Sequence, residues 1–189
     1  MHLLELVVLS RIHNSYKLRL ADSICDVMRI GVFSDTHDNM VMIKRAIKVF
    51  NDMEVELVLH AGDFVSPFTI FEISNLRCRY VAVFGNNDGE RFGLRDKILQ
   101  SKGEIHDPPH EIDVAGKKFL LTHNPTFAEL LAETGKFDVI VHGHNHNVET
   151  KRIEDTWIVN PGECGGWTTG KSTVVVFDLE KMEPQVIEL

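Results

Sequence analysis

Cysteine is scarce. The 189-residue chain holds only Cys25, Cys78 and Cys164, none of them in a C-x-x-C pair. An odd, scattered set excludes a disulfide framework and a cysteine-liganded zinc site, and it fits a reducing cytoplasm. Cations are also short, with 20 Lys and Arg against 28 Asp and Glu and a formal net charge of −8. That balance excludes a broad nucleic-acid surface, which needs clustered Lys and Arg to release counterions. It leaves room for a local positive centre such as bound metal. Long apolar runs are missing too, since a bilayer span needs about 20 such residues. The one targeting candidate, MHLLELVVLS, carries Glu5 and lacks a basic start and a small-residue cleavage site, so it is expected to be neither leader nor span.

What remains is ordinary globular composition, 43% apolar and 25% charged, which argues against disorder. A chain of this length suits one domain with a sizeable core. The texture changes near Met28, where MRIGVFSD begins an apolar strand. Residues 28–189 are therefore read as the domain. Residues 1–27 read as an appendage, with two explanations open: an extension that packs on the domain or a neighbouring subunit, or a start codon called too early.

From Met28 onward strands and helices alternate. RIGVF, VELVLH and RYVAVF are strands. NMVMIKRAIKVFND places Met40, Ile43, Ile47 and Phe50 on one face at helical period. SPFTIFEIS starts a helix with Ser66 as N-cap and Pro67 at the first helical position. GLRDKILQSKG is a helix stopping at Gly103, and Pro125 opens another through TFAELLAET. The later half adds hairpins at Ala115-Gly116-Lys117 and Glu154-Asp155, with FDVIVH and STVVVFDL as further strands. The expectation is a single α/β domain of mixed parallel and antiparallel strands.

The informative feature is where the polar residues fall. GVFSDTHDN supplies Asp35 and His37, LVLHAGD supplies Asp63, VAVFGNND supplies Asn86, FLLTHN supplies His123, and VIVHGHNH supplies His144 and His146. Each piece has a plain alternative: Asp-Thr-His-Asp-Asn can cap a helix, and Asn-Asp-Gly makes a good turn. Taken together, the residues lie beyond the carboxyl ends of strands, where ligands bind in open α/β sheets. Oxygen and nitrogen donors without thiolate suit Mn²⁺, Fe, Zn²⁺ or Ni²⁺ better than a structural zinc. Seven candidates exceed one four-ligand centre and suit two metals sharing a carboxylate.

The order D-x-H, G-D, G-N-x-D, a lone His and G-H-x-H, followed by VNPGE, resembles the calcineurin-like metallophosphoesterase family from Met28 to about Gly162. The brevity is similar to the small branch holding microbial phosphodiesterases and the retromer scaffold subunit. The resemblance implies a two-sheet αββα sandwich and two divalent ions, Mn²⁺ first, with Ni²⁺, Fe²⁺, Zn²⁺ and Mg²⁺ open. It assigns Asp35, His37 and His146 to one metal, Asn86, His123 and His144 to the second, and Asp63 to the bridge. A metal-bridging water would attack the phosphoester, and Asn86, Asn87 and His123 would contact phosphate. His60 and His142 would support or pack, while His2, His13, His106 and His110 match no motif and are expected to be solvated.

This chain departs from many relatives at Asn87, which stands where they carry a histidine that protonates the leaving group. An amide cannot titrate near neutrality, so a contribution of typically 10²–10⁴-fold is absent from that position. Asp88 is expected to orient its neighbours. The implied activity is a phosphodiesterase favouring small, activated diesters. The alternative is a protein-binding scaffold of the same fold, with the exposed-looking PTFAELL and the appendage serving an interface or a homo-oligomer. No basic groove or aromatic ladder selects the substrate.

Overall fold

The computed structural model describes residues 28–189, so the expected appendage, with Cys25, His2 and His13, lies outside the described residues. Along the chain run β1 (Arg29–Phe33), α1 (Met40–Asp52), β2 (Leu57–His60), a 3₁₀ turn (Pro67–Thr69) leading into α2 (Ile70–Ile73), and β3 (Arg79–Val83). Next come α3 (Arg91–Gln100), β4 (Gly103–His106), the hairpin of β5 (His110–Val114) and β6 (Lys117–Leu121), α4 (Ala128–Glu133) and β7 (Val139–Val141). A second hairpin, β8 (Val148–Ile153) with β9 (Thr156–Pro161), precedes β10 (Thr173–Asp178) and β11 (Glu183–Glu188).

Two mixed sheets result, in the orders β11-β10-β1-β2-β3-β4 and β5-β6-β7-β9-β8. The period-2 alternation of each central strand determines how they stack. On the first sheet Ile30, Val32, Leu57, Leu59, Val81 and Val83 face the second sheet, meeting Phe119, Leu121, Val139, Val141 and Val159 in one apolar layer. The intervening residues Phe33, Val58, Tyr80 and Ala82 face outward onto Ile43, Ile47 and Phe50 of α1, Ile70 and Ile73 of α2, and Leu94 and Ile98 of α3. On the far side Leu120, Ile140 and Ile158 meet Ala128 and Ala132 of α4. The architecture is the expected αββα sandwich.

Parallel order places the site. β1, β2 and β3 run parallel in one sheet, and β6, β7 and β9 in the other. The loops leaving β1, β2, β3, β6 and β7 carry all seven candidate ligands.

Several local expectations change. The segment from Ser66 forms only a 3₁₀ turn and one α-helical turn, and the Ser66 side chain makes no cap bond. Its hydroxyl instead donates to Asp38 Oδ2 at 2.6 Å. Gly103 does not end a helix; it opens β4, where the Tyr80 ring fills the space a Cβ would take, 2.2 Å from Tyr80 Cζ. β4 and β11 were not anticipated: the first has one buried residue, Ile105, and the second is an edge strand with Pro184, so neither shows alternation. His106 and His110 are not simply solvated, for their rings stack at 3.6 Å between centroids.

Candidate metal centre

Asp35, His37, Asp63, His144 and His146 all have positive φ, between 39° and 74°. Asp and His enter the left-handed region at a modest cost that the surrounding structure must offset. The backbone around them supplies that support. Asp35 N donates to Gly62 O at 3.0 Å and His37 N to Asp63 O at 3.2 Å, so the β1 and β2 loops run side by side. From the other flank Cys164 N donates to Ser34 O at 2.9 Å and Gly165 N to Asp35 O at 3.0 Å. Helix capping falls to Asn39, whose Oδ1 accepts from Met42 N at 3.3 Å, which leaves Asp35 and His37 free for the site.

The motif glycines are placed by the carboxylates. A Cβ on Gly85 would stand 2.1 Å from Asp63 Oδ1, and one on Gly143 would stand 2.0 Å from Ser34 Oγ and 2.6 Å from Asp35 Oδ2. Only glycine lets these loops close over the acids.

Two lobes meet here. In one, Asp35 Oδ1 lies 3.5 Å from His146 Nε2 and 3.8 Å from His37 Nε2. In the other, Asn86 Oδ1 lies 2.9 Å from both His123 Nε2 and His144 Nδ1. Asp63 Oδ2 reaches into both, 3.6 Å from His37 Nε2 and 3.4 Å from His123 Nε2. Two donor groups, Asp35/His37/His146 and Asp35/Asp63/His123, each have ligand atoms within 4.8 Å of one another. Asp35 thus belongs to both groups, and Asp63 to the second.

Hydrogen bonding tests whether a cation fits. His123 Nδ1 lies 2.7 Å from Ala61 O, a partner that can only accept, so Nδ1 donates. In neutral His123 that leaves Nε2 as a bare lone pair, facing Asn86 Oδ1 and Asp63 Oδ2, both acceptors. His146 repeats the pattern: Nδ1 donates to Glu163 Oε2 at 3.1 Å, turning the Nε2 lone pair toward Asp35 Oδ1. Asp35 Oδ1 and His37 Nε2 are buried without a hydrogen-bond partner. Lone pairs converge on lone pairs, which a proton or a metal ion must relieve, and the donor set fits divalent metal.

Electrostatics follow from the same contacts. Burial pushes the Asp35 carboxyl above the ordinary range. Burial acts in the same direction on Asp63, but a protonated His123, which then donates from Nε2, and hydrogen bonds from Asn87 outweigh it and hold that carboxyl well below the range. His123 loses by burial and gains more from Asp63, so its affinity for a proton rises.

Asn87 turns inward: its N–H donates to Asp63 Oδ1 and its Nδ2 to Asp63 Oδ2, both at 2.7 Å. Asp88 is buried and accepts from Gly85 N at 2.7 Å, Val65 N at 2.8 Å and Asp63 N at 3.1 Å, tying the β3 loop to the β2 loop. His60 packs between Phe33 and Phe64, and its Nδ1 accepts from Gly62 N at 3.0 Å. His142 is buried with Nε2 3.3 Å from Glu149 Oε2. The VNPGE segment supplies two supports that its sequence does not reveal. Asn160 Nδ2 donates to Asn145 Oδ1 at 2.7 Å and so braces the G-H-x-H loop, while Glu163 holds His146. A buried acid two residues past a strand was the only available signal.

Residues 28–182 match the family described as the calcineurin-like phosphoesterase superfamily domain. Phosphodiesterase MJ0936 of Methanocaldococcus jannaschii is 41% identical over 165 residues, 86% of this chain and 99% of that protein. A solved structure described as a novel archaeal phosphodiesterase superposes with a TM-score of 0.81 at 40% identity, covering 86% of this chain and all of that one. Vps29 from Entamoeba histolytica shares the fold at a TM-score of 0.62 and 16% identity, over 86% and 99% of the two chains.

Proposed function

The chain belongs to the calcineurin-like phosphoesterase superfamily, a family of hydrolases, and on that premise we propose that it is a metal-dependent phosphodiesterase acting on small, activated diesters. The convergence of His123 and His146 lone pairs on Asp63, Asn86 and Asp35 carries this reading. Asp35, His37 and His146 would hold one divalent ion and Asn86, His123 and His144 a second, with Asp63 between them. Mn²⁺ is the first choice, and Ni²⁺, Fe²⁺, Zn²⁺ and Mg²⁺ share the donor preference. When bound, such ions supply Lewis-acid polarisation of the phosphoryl group and acidification of water.

The chain's own residues do the positioning. Asp88 and Asn87 fix Asp63 through backbone and side-chain hydrogen bonds. Ala61 O and Glu163 select the tautomers of His123 and His146 that present Nε2. Asn87, with Asn86 and His123, borders the place a phosphoryl group would occupy, and its amide offers a donor but no titrating proton. Leaving groups that depart without protonation therefore suit the site, as in aryl diesters.

Cys78 and Cys164 are free thiols, which supports the cytoplasm as the place of action. Among the described residues no helix is long and apolar enough to cross a membrane. The substrate would be a small phosphoester met in solution.

The test is hydrolysis of bis(p-nitrophenyl) phosphate with Mn²⁺, with the metal removed, and in Asp63→Asn and His144→Ala. Turnover should need the metal and fall at least 10²-fold in each variant. Rates equal to the metal-free blank in the wild type would favour the scaffold reading, for which Phe127 and Leu130, 64% and 61% exposed on α4 and its N-cap, offer a surface.

A further inference from the structure

The segment after β9 presses a strap of backbone against the β1 loop. Gly165 N donates to Asp35 O at 3.0 Å, and Asn39 Nδ2 donates to Gly165 O at 2.7 Å. A Cβ at Gly165 would stand 3.0 Å from Asp35 O, Thr36 O and the Trp167 ring, a tight fit that glycine avoids. Gly166 turns the strap with φ +67°. The buried Glu163 carboxylate then gathers the next three amides: Trp167 N at 3.0 Å on Oε2, Thr168 N at 2.9 Å on Oε1, and Thr169 N on Oε1.

This leaves Trp167 in an unusual state, held and yet open. Its indole Nε1 donates to the backbone carbonyl of His37 at 3.0 Å, while the side chain is 67% exposed. Exposed tryptophan is uncommon, because its large apolar face gains most from burial. Here the main chain is tied to Glu163, which also holds His146, and the indole is tied to His37. The ring is thereby anchored beside two of the candidate ligands.

We infer that Trp167 is a rigid platform on the rim of the site, against which a planar aromatic group of the substrate, a nucleobase or an aryl ring, stacks while the phosphodiester lies among the ligands. This rests on the phosphodiesterase reading above. A pre-positioned indole loses little side-chain entropy on binding, so stacking is retained as selectivity. The chain's acidic surface has few cations to recruit a second phosphate, so the neutral face of an aromatic ring is the available handle.

Two measurements on full-length protein with Mn²⁺ test it. First, kcat and KM are determined for bis(p-nitrophenyl) phosphate, adenosine 2′,3′-cyclic phosphate and the non-aromatic diester glycerophosphoethanolamine, in wild type, Trp167→Ala and Trp167→Phe. The preference for aromatic over non-aromatic diester should drop roughly 5- to 150-fold in Trp167→Ala, mainly through KM, with most of it restored by phenylalanine. Loss confined to the cyclic nucleotide identifies a nucleobase, and equal loss on both aromatic diesters identifies any aryl ring. Second, adenosine 5′-monophosphate is titrated while indole fluorescence is followed; saturable quenching in the wild type should vanish in Trp167→Phe. Quenching without turnover of any diester would sink the phosphodiesterase reading and keep the platform. Turnover with unchanged selectivity and no quenching would overturn the platform. So would unchanged selectivity with a shift in oligomeric state by light scattering, which would make Trp167 a contact between copies.

Discussion

Glu163 Oε2 accepts a hydrogen bond from His146 Nδ1 at 3.1 Å, and both partners are tied into the site from opposite sides. The carboxylate is fully buried and is kept charged: burial raises its proton affinity, but the amides of Thr169 and Thr168 and the His146 ring lower it further, below the ordinary range. A charged acceptor on Nδ1 orients the ring and raises the basicity of Nε2.

Replacing that charge should weaken metal binding. Glu163→Gln is expected to bind Mn²⁺ about 10- to 100-fold more weakly by isothermal calorimetry. Wild-type affinity in the variant would remove Glu163 from the support of the centre.

Gly85 should be as sensitive for a steric reason. A Cβ there would lie 2.1 Å from Asp63 Oδ1 and 2.4 Å from Asp63 N, so Gly85→Ala must displace the carboxylate or its loop. The expected outcome is loss of most Mn²⁺ affinity together with a stability decrease of about 1–3 kcal/mol in urea. Full affinity would mean that Asp63 is not held where metal needs it.

Asp88 answers three buried or part-buried N–H groups at once. In Asp88→Ala each loses its acceptor, at about 1–3 kcal/mol for a buried group. We expect at least about 3 kcal/mol of destabilisation by chemical denaturation. A change under about 1 kcal/mol would mean that water replaces the carboxylate.

Asn87 separates the two halves of a leaving-group argument. Asn87→His restores a titrating group beside Asp63 while its backbone N–H still reaches Oδ1. Rates on alkyl diesters should rise relative to aryl diesters, by up to about 10²-fold if protonation is limiting. No relative gain on alkyl substrates would refute the idea that this position lacks an acid.

Tyr80 sets an alkaline limit on stability. Burial pushes its hydroxyl from 10.0 up to about 12, with a bond to Ser101 Oγ at 2.7 Å opposing the rise. Below pH 10 both folded and unfolded chains keep the proton, and the contribution is fully present. Between 10 and 12 the unfolded chain ionises first, so stability should fall by roughly 2–3 kcal/mol across that window. Tyr80→Phe should flatten this slope, and denaturation curves at pH 9, 10.5 and 11.5 read it directly.

The strands most legible in the sequence were those buried on both faces, because their apolar runs end abruptly in Asp, His or Asn. β4 and β11 were invisible for the opposite reason: GEIH and EPQVIE each lie at a sheet edge and bury little, so no period betrays them. The segment at Ser66 carried good start signals and still made barely one turn, since its hydroxyl found Asp38 rather than the helix end. As a cap that hydroxyl would accept from a helix N–H group; here it donates to a carboxylate 28 residues away in the chain.

By itself the sequence determined which residues stand at the strand ends, that they are oxygen and nitrogen donors without thiolate, and, through the spacing of five short motifs, which family they resemble. Those properties are local, so they survive in a one-dimensional reading. Only the tertiary structure decided the rest. Asn87 lies on Asp63, Asp35 is shared by both donor groups while Asp63 is in one, and Glu163 joins His146 to the strap that fixes Trp167. Each of these pairs two loops separated by 17 residues or more. Hydrogen-bond direction and steric contact across such distances depend on how two sheets stack, which no stretch of residues carries alone.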